Sequence, residues 1–166
     1  MLYIFAGLPG AGKSTLARQL AQRLNAAYLR VDTIEQALRD AGVVIHGPEG
    51  YMIAYRVAGD NLRIGLPVVA DTVNPLQITR DAWRAVAAQA DAPYVEIEII
   101  CSDLDEHRRR VETRAADIEG FPLPTWDDVT QRQFEEWDTT HIQIDTAGQT
   151  PAQSIAALEH ALTLRS

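Results

Sequence analysis

Cysteine, lysine and uninterrupted apolar runs are what this 166-residue sequence has least of. Its one cysteine, Cys101, excludes an internal disulfide and a cysteine-based zinc site within one chain. That residue ends an apolar run and reads as a small buried hydrophobe. No stretch approaches the roughly 18 apolar residues of a membrane span. The apolar N-terminus lacks a positive leading segment, and a lysine and glycines fall where a secretory segment should be unbroken, so a cytoplasmic protein without membrane contact is expected. Positive charge is also short. A formal net charge of −8 argues against broad binding to nucleic acid or anionic membrane, although a local basic pocket remains open. There is no internal repeat and no low-complexity segment, and 46% hydrophobic residues suit one compact domain, 1–166.

The only lysine, Lys13, falls in Gly7-Leu8-Pro9-Gly10-Ala11-Gly12-Lys13-Ser14, which fits the phosphate-binding pattern G-x-x-x-x-G-K-[ST]. A short apolar run, Leu2 to Ala6, precedes it as a buried strand. A helix beginning at Lys13 follows, with Leu16, Leu20 and Leu24 four apart on one face. In such a loop the glycines let successive N–H groups point at the β- and γ-phosphates, Lys13 reaches those phosphates, and the Ser14 hydroxyl takes Mg²⁺. Gly7, Pro9, Gly10, Ala11, Gly12, Lys13, Ser14 and Thr15 are therefore expected to bind ATP. The guanine-specifying Asn-Lys-x-Asp motif of switch-type GTPases needs a second lysine, so that class is excluded.

Further along, Ala27 to Val31 reads as a second strand ending at Asp32, and Asp32-Thr33-Ile34-Glu35 as a capping-box start to a helix through about Asp40. Gly50 to Gly65 reads as a helix, and Leu66 to Asp71 as a third strand. Thr79 to Ala90 is helical in pattern. Tyr94 to Cys101 forms a fourth strand in which Val95, Ile97 and Ile99 alternate with Glu96 and Glu98. That alternation predicts one face reached by water, against the habit of a central parallel strand. A capped helix follows Ser102, Gly120 to Pro124 interrupts it, and another helix is expected from about Thr125 to Trp137. A short strand at Ile142 to Ile144 and a last helix capped by Thr150 with Pro151 at its first position complete the chain. Strands alternating with helices give an α/β fold, a three-layer sandwich on a five-stranded parallel sheet.

Ligands of open α/β sheets sit beyond the carboxyl ends of the strands, where the loop, Asp32 and Asp71 all fall. Asp32 is a candidate general base for a substrate hydroxyl, or a helix cap, and its two oxygens can serve both. Arg30 shares its strand face and either holds substrate or lies on the surface. Asp71 is a candidate Mg²⁺ ligand or a turn-forming residue. Arg110 and Arg114, with His107 three residues before, form a basic stripe that either closes over the triphosphate as part of a lid at about 105–126 or is a solvated charged face. The other histidines, His46, His141 and His160, are scattered singly and read as surface or core. Tyr51, Tyr55 and Asn74 are further candidate substrate contacts.

These residues resemble the small P-loop kinases of the AAA-type predicted-kinase group, which includes chloramphenicol phosphotransferase, zeta toxin, gluconate kinase and the kinase domain of polynucleotide kinase. The resemblance rests on the phosphate loop, the Asp ending strand two, Val68-Val69-Ala70-Asp71-Thr72-Val73-Asn74-Pro75, Arg110-x-x-x-Arg114, and Ile144-Asp145-Thr146-Ala147-Gly148. It implies the P-loop kinase fold, ATP and Mg²⁺, Asp32 as base, Arg114 on the phosphates, and Arg110, Thr146 and Gly148 near the adenine. Polynucleotide kinases and related patterns often carry an arginine three positions after the strand-two Asp, where this chain has Glu35, which disfavours an anionic or nucleic-acid acceptor. The expected activity is transfer of the γ-phosphate of ATP to a small-molecule hydroxyl. Kinases of nucleic-acid ends or nucleotide-sugars, and a non-catalytic ATP-binding module, are the alternatives. Oligomeric state is left open.

Overall fold

A computed structural model describes residues 1–164. Strands β1 (Leu2–Ala6), β2 (Ala27–Arg30), β3 (Val68–Asp71), β4 (Tyr94–Ile100) and β5 (Ile142–Asp145) form one parallel sheet in the order β2-β3-β1-β4-β5. The helices are α1 (Lys13–Leu24), α2 (Val31–Asp40), α3 (Glu49–Arg63), α4 (Gln77–Gln89), α5 (Leu104–Thr113), α6 (Trp126–Thr130) and α7 (Pro151–Thr163). The expected α/β sandwich is the observed one. No helix among the described residues is long and apolar enough to cross a membrane.

Alternation along the strands builds two cores, because successive side chains leave a strand on opposite faces. Phe5, Val69, Val95, Ile97 and Ile99 pack with α1 and α7 on one face. Leu2, Ile4, Val68 and Ala70 pack with α3 and α4, including Ala54, Ala58 and Trp83, on the other. Each fully buried large aliphatic side chain contributes about 1.5–3 kcal/mol.

Three expectations change. The alternating acids of β4 do not face water: Glu96 and Glu98 are buried. Glu96 accepts from Arg84 on α4 at 3.1 Å and from the Thr139 hydroxyl at 2.8 Å. Glu98 accepts from Gln143 at 2.7 Å and meets the His141 ring at 3.2 Å. Buried carboxylates are tolerated when so paired, and the periodicity of an amphipathic strand thus marks a buried polar face.

Second, the helix expected from Thr125 to Trp137 stops at Thr130. Arg80, fully buried on α4, donates to the carbonyls of Glu135 (2.8 Å) and Glu136 (2.9 Å) and to those of Asn74 (3.2 Å) and Pro75 (3.3 Å). Its guanidinium lies 4.1 Å from the Trp137 ring centroid. Those carbonyls serve Arg80 in place of a helix ladder. Arg80→Leu takes the guanidinium donors from the Asn74, Glu135 and Glu136 carbonyls, while the Pro75 carbonyl keeps its bond from the Glu135 amide at 2.8 Å, and is expected to cost about 3 kcal/mol, read from urea unfolding at pH 7; an unchanged midpoint contradicts this role.

Third, β2 ends at Arg30, and α2 begins at Val31 with Arg30 at its N-cap and no side-chain cap. Asp32 therefore lies in the first helical turn and does not cap it.

Candidate active site

The phosphate loop leaves β1 through Gly7, whose φ is 137° and whose N–H donates to the Val73 carbonyl at 3.1 Å. A Cβ there would lie 2.2 Å from the Ile99 carbonyl oxygen, so only glycine fits. At Gly10, φ 85°, a Cβ would meet Val111 of α5 at 2.5 Å. Gly12 is the N-cap of α1 and brings no capping side chain. The first amides of that helix thus remain available to an anion, with the positive end of the helix dipole behind them.

Lys13 is buried, with Nζ 3.3 Å from Asp71 Oδ1. Parallel register sets Asp71 beside Phe5 of β1 and Arg30 of β2, at the carboxyl ends of three strands. The Tyr28 hydroxyl donates to Asp71 Oδ2 at 2.7 Å, and Arg30 Nε lies 3.7 Å away. Burial alone would raise the Asp71 carboxyl; Lys13, the Tyr28 and Ser14 hydroxyls and Arg30 outweigh it and hold the group below the usual carboxylate range. Burial, with the Asp71 charge, pushes the Tyr28 phenol up. Asp71 is the last residue of a strand, so the turn-forming reading does not apply.

Arg30 turns from Asp71 towards the segment after α5, donating to Asp117 at 2.7 and 3.1 Å, with Asp32 3.9 Å distant. Arg18 of α1 also donates to Asp117, at 2.9 Å. These hydrogen bonds hold the Asp117 carboxyl down at about 2. Arg30 is thus an anchor for that segment and not a surface residue. Neither Tyr28 nor Asp117 had a sequence signal, because each acquires its partner 43 to 99 residues away.

α5 packs on the loop. Asp103 caps it, accepting from the Glu106 amide at 2.9 Å, and the His107 ring nitrogen Nε2 donates to the Pro9 carbonyl at 2.8 Å. The His107 ring stands edge-on to Trp126, with centroids 5.3 Å apart. His107 therefore ties α5 to the loop, which removes it from the expected basic stripe. Arg110 donates to the Thr146 hydroxyl and carbonyl at 2.7 and 2.9 Å and pairs with Glu106 at 2.5 Å, while Glu106 accepts from the Gly148 amide at 2.8 Å. The Thr146 hydroxyl reaches the Ala11 carbonyl at 2.8 Å. Arg110, Thr146 and Gly148 thus gather at one edge of the loop.

Arg114 follows the last residue of α5 and lines the central cleft with Asp32. Burial lowers its guanidinium, the Asp32 carboxylate opposes that, and its Nε has no hydrogen-bond partner. The cleft, about 1390 Å³, runs from Gly10, Gly12, Lys13, Ser14 and Thr15 past Arg30 and Asp32 to Tyr51 and Tyr55. Of the three candidate substrate contacts, Tyr51 and Tyr55 line the cleft and Asn74 does not. The Tyr51 hydroxyl is engaged by the Thr72 hydroxyl at 2.5 Å and accepts from the Asn74 amide at 3.1 Å. The Tyr55 hydroxyl donates to the Thr79 carbonyl at 3.3 Å. Asn74, at φ 48°, is fully buried and off the cleft wall. Cys101 is buried, and burial raises its thiol. Among the described residues no cluster of three His, Cys, Asp or Glu could hold a metal by itself.

The AAA_33 model, an AAA domain, matches residues 2–137. Uncharacterized proteins of Mycobacterium bovis and Mycobacterium tuberculosis are 32% identical over 162 residues, which covers 89% of this chain and 32% of theirs. The chain thus spans about a third of the length of these curated relatives. A Chloroflexus aurantiacus protein described as a proposed kinase superposes with a TM-score of 0.73 at 19% identity, over 99% of this chain and 97% of that one. The APS kinase CysC of Mycobacterium tuberculosis, in complex with AMPPNP and APS, gives 0.70 at 20%, over 98% and 96%. A gluconokinase from Sinorhizobium meliloti gives 0.62 at 16%, over 99% and 96%. The fold is therefore that of the small P-loop kinases, and the chain belongs to the AAA_33 family of AAA domains.

Proposed function

We propose that the protein is an ATP- and Mg²⁺-dependent phosphotransferase acting on a hydroxyl of a small molecule, with residues 1–166 as one domain and the segment at about 105–126 as its lid. The observation that carries this reading is Asp32. Its side chain, 32% exposed, faces the same cleft as the phosphate loop, beside Arg30 and Arg114. Gluconokinase and APS kinase, both named for small-molecule substrates, share the fold and agree with it.

In this scheme the hydroxyl oxygen of the acceptor bonds to the γ-phosphorus as the bond to ADP breaks, and the hydroxyl proton passes to the Asp32 carboxylate. Lys13 and Arg114 offset charge on the transferring group. Ser14 and Asp71 would hold Mg²⁺: both are oxygen donors, and the Asp71 Oδ1 atom, 3.3 Å from the Lys13 ammonium, carries no hydrogen bond. When bound there, Mg²⁺ would supply charge neutralisation to the triphosphate. Arg110, Thr146 and Gly148 border the adenine, and α5 with the segment after it excludes water that would otherwise consume ATP.

The test is ADP release from ATP and Mg²⁺ against a panel of aminoglycosides, chloramphenicol, sugars, nucleosides and simple alcohols, with Lys13→Ala as blank. Acceptor-stimulated release by the wild type alone is expected. Tight ATP binding with no acceptor-dependent release across the panel and a fractionated small-molecule extract overturns the reading in favour of an ATP-sensing module.

A further inference from the structure

The arm of the cleft beyond Asp32 is chemically unlike its phosphate end. Tyr51 and Tyr55 line it, yet their hydroxyls are taken by Thr72, Asn74 and the Thr79 carbonyl, which leaves mainly ring carbon for the cleft. Met52 and Ile78 stand on the same wall, 50% and 73% exposed. Phe121 and Leu123 border the arm from the segment after α5. Single exposed apolar residues are ordinary on a convex surface, but here they share one concavity with three aromatic rings.

Two arginines of this arm, Arg30 and Arg39, are already paired with acids. Arg39 pairs with Glu35 at 3.3 Å and lies 5.6 Å from the Phe121 ring centroid. Arg132 also bears on Glu35, and Asp128 accepts from the Thr125 amide and hydroxyl at 2.8 and 2.7 Å. Arg30 is committed to Asp117. Beyond Arg132, both arginines of this arm are committed to acids, and the carboxylates that a run of sugar hydroxyls would meet, Glu35 and Asp128, are already engaged. Burying such hydroxyls unpaired is unfavourable, because each loses its hydrogen bonds to water.

We infer that the acceptor is an uncharged alcohol whose hydroxyl sits on an aryl or alicyclic hydrocarbon body, the ring lying against Tyr51, Met52, Tyr55 and Ile78 while the hydroxyl reaches Asp32. This rests on the phosphotransferase reading and narrows it. The same wall disfavours polyols and sugar phosphates, since hydrophobic contact with Met52 and Ile78 is lost to them.

The experiment compares 3-phenylpropanol and cyclohexylmethanol with glycerol, glucitol and glucose 6-phosphate. ADP release gives kcat and KM, and saturation-transfer NMR with a non-hydrolysable ATP analogue reads binding alone. Expected is a kcat/KM at least about 100-fold higher for the ring alcohols, as several methylene-sized contacts would supply. Met52→Glu and Ile78→Glu each raise the ring-alcohol KM about 10-fold or more with kcat little altered, a split that general loss of structure would not produce. Equal or better use of polyols or sugar phosphate overturns the inference and leaves phosphotransfer standing. Ring-alcohol binding without ADP release keeps the apolar specificity and removes phosphotransfer. Absence of ring-alcohol binding overturns the inference.

Discussion

Asp32→Asn is expected to lower acceptor-dependent ADP release by about 10³-fold or more, while ATP affinity stays within a few-fold of wild type. A carboxamide matches the carboxylate in shape but does not take a proton from the attacking hydroxyl. Because α2 has no side-chain cap, the substitution leaves that helix start intact, and the thermal midpoint should barely move. Rate loss without loss of stability or ATP binding is therefore the signature, read from steady-state kinetics beside calorimetric titration of ATP. Transfer at the wild-type rate would sink the assignment of Asp32 as base.

Lys13→Ala should abolish turnover and also destabilise the protein by about 3 kcal/mol at neutral pH, because it leaves the buried Asp71 without its ammonium partner. In the wild type the Asp71 carboxyl is depressed below its unfolded value of about 3.9. Its contribution to stability is thus present above about pH 4 and is lost as pH falls through the depressed folded value. Without Lys13, burial pulls the carboxyl up, Tyr28 and Arg30 offsetting only part of it. The stability difference between variant and wild type should therefore narrow as the pH falls through and below 4. Lys13→Ala with Asp71→Asn should recover much of the stability at pH 7 and none of the activity. Urea unfolding at pH 7 and pH 4 checks both, and a pH-independent difference contradicts the pairing.

β4 and the phosphate loop differ in how far along the chain their chemistry reaches. The loop is local: its glycines, lysine and serine act through backbone geometry within eight residues, so the pattern carries its own chemistry. The acids of β4 obey the same period as a half-solvated strand, and nothing in that strand reveals that Arg84, Thr139, His141 and Gln143 arrive from elsewhere to cover them. Likewise, the helical spacing after Thr125 is genuine, but Arg80 competes for its carbonyls from 55 residues away.

The sequence by itself determined the order of strands and helices, the α/β class, the phosphate loop, and the set of acids and arginines from which a phosphoryl-transfer site can be built. Those features follow from local periodicity, turn chemistry and residue type. Tertiary structure decided which residues have their polar groups spent. It gave Lys13 to Asp71, Arg30 to Asp117, His107 to Pro9, and turned the Tyr51 and Tyr55 hydroxyls into the protein so that their rings face the acceptor arm. The physical reason is that a buried donor or acceptor must find a partner wherever the chain brings one, and parallel strands joined by helices bring those partners from far along the sequence.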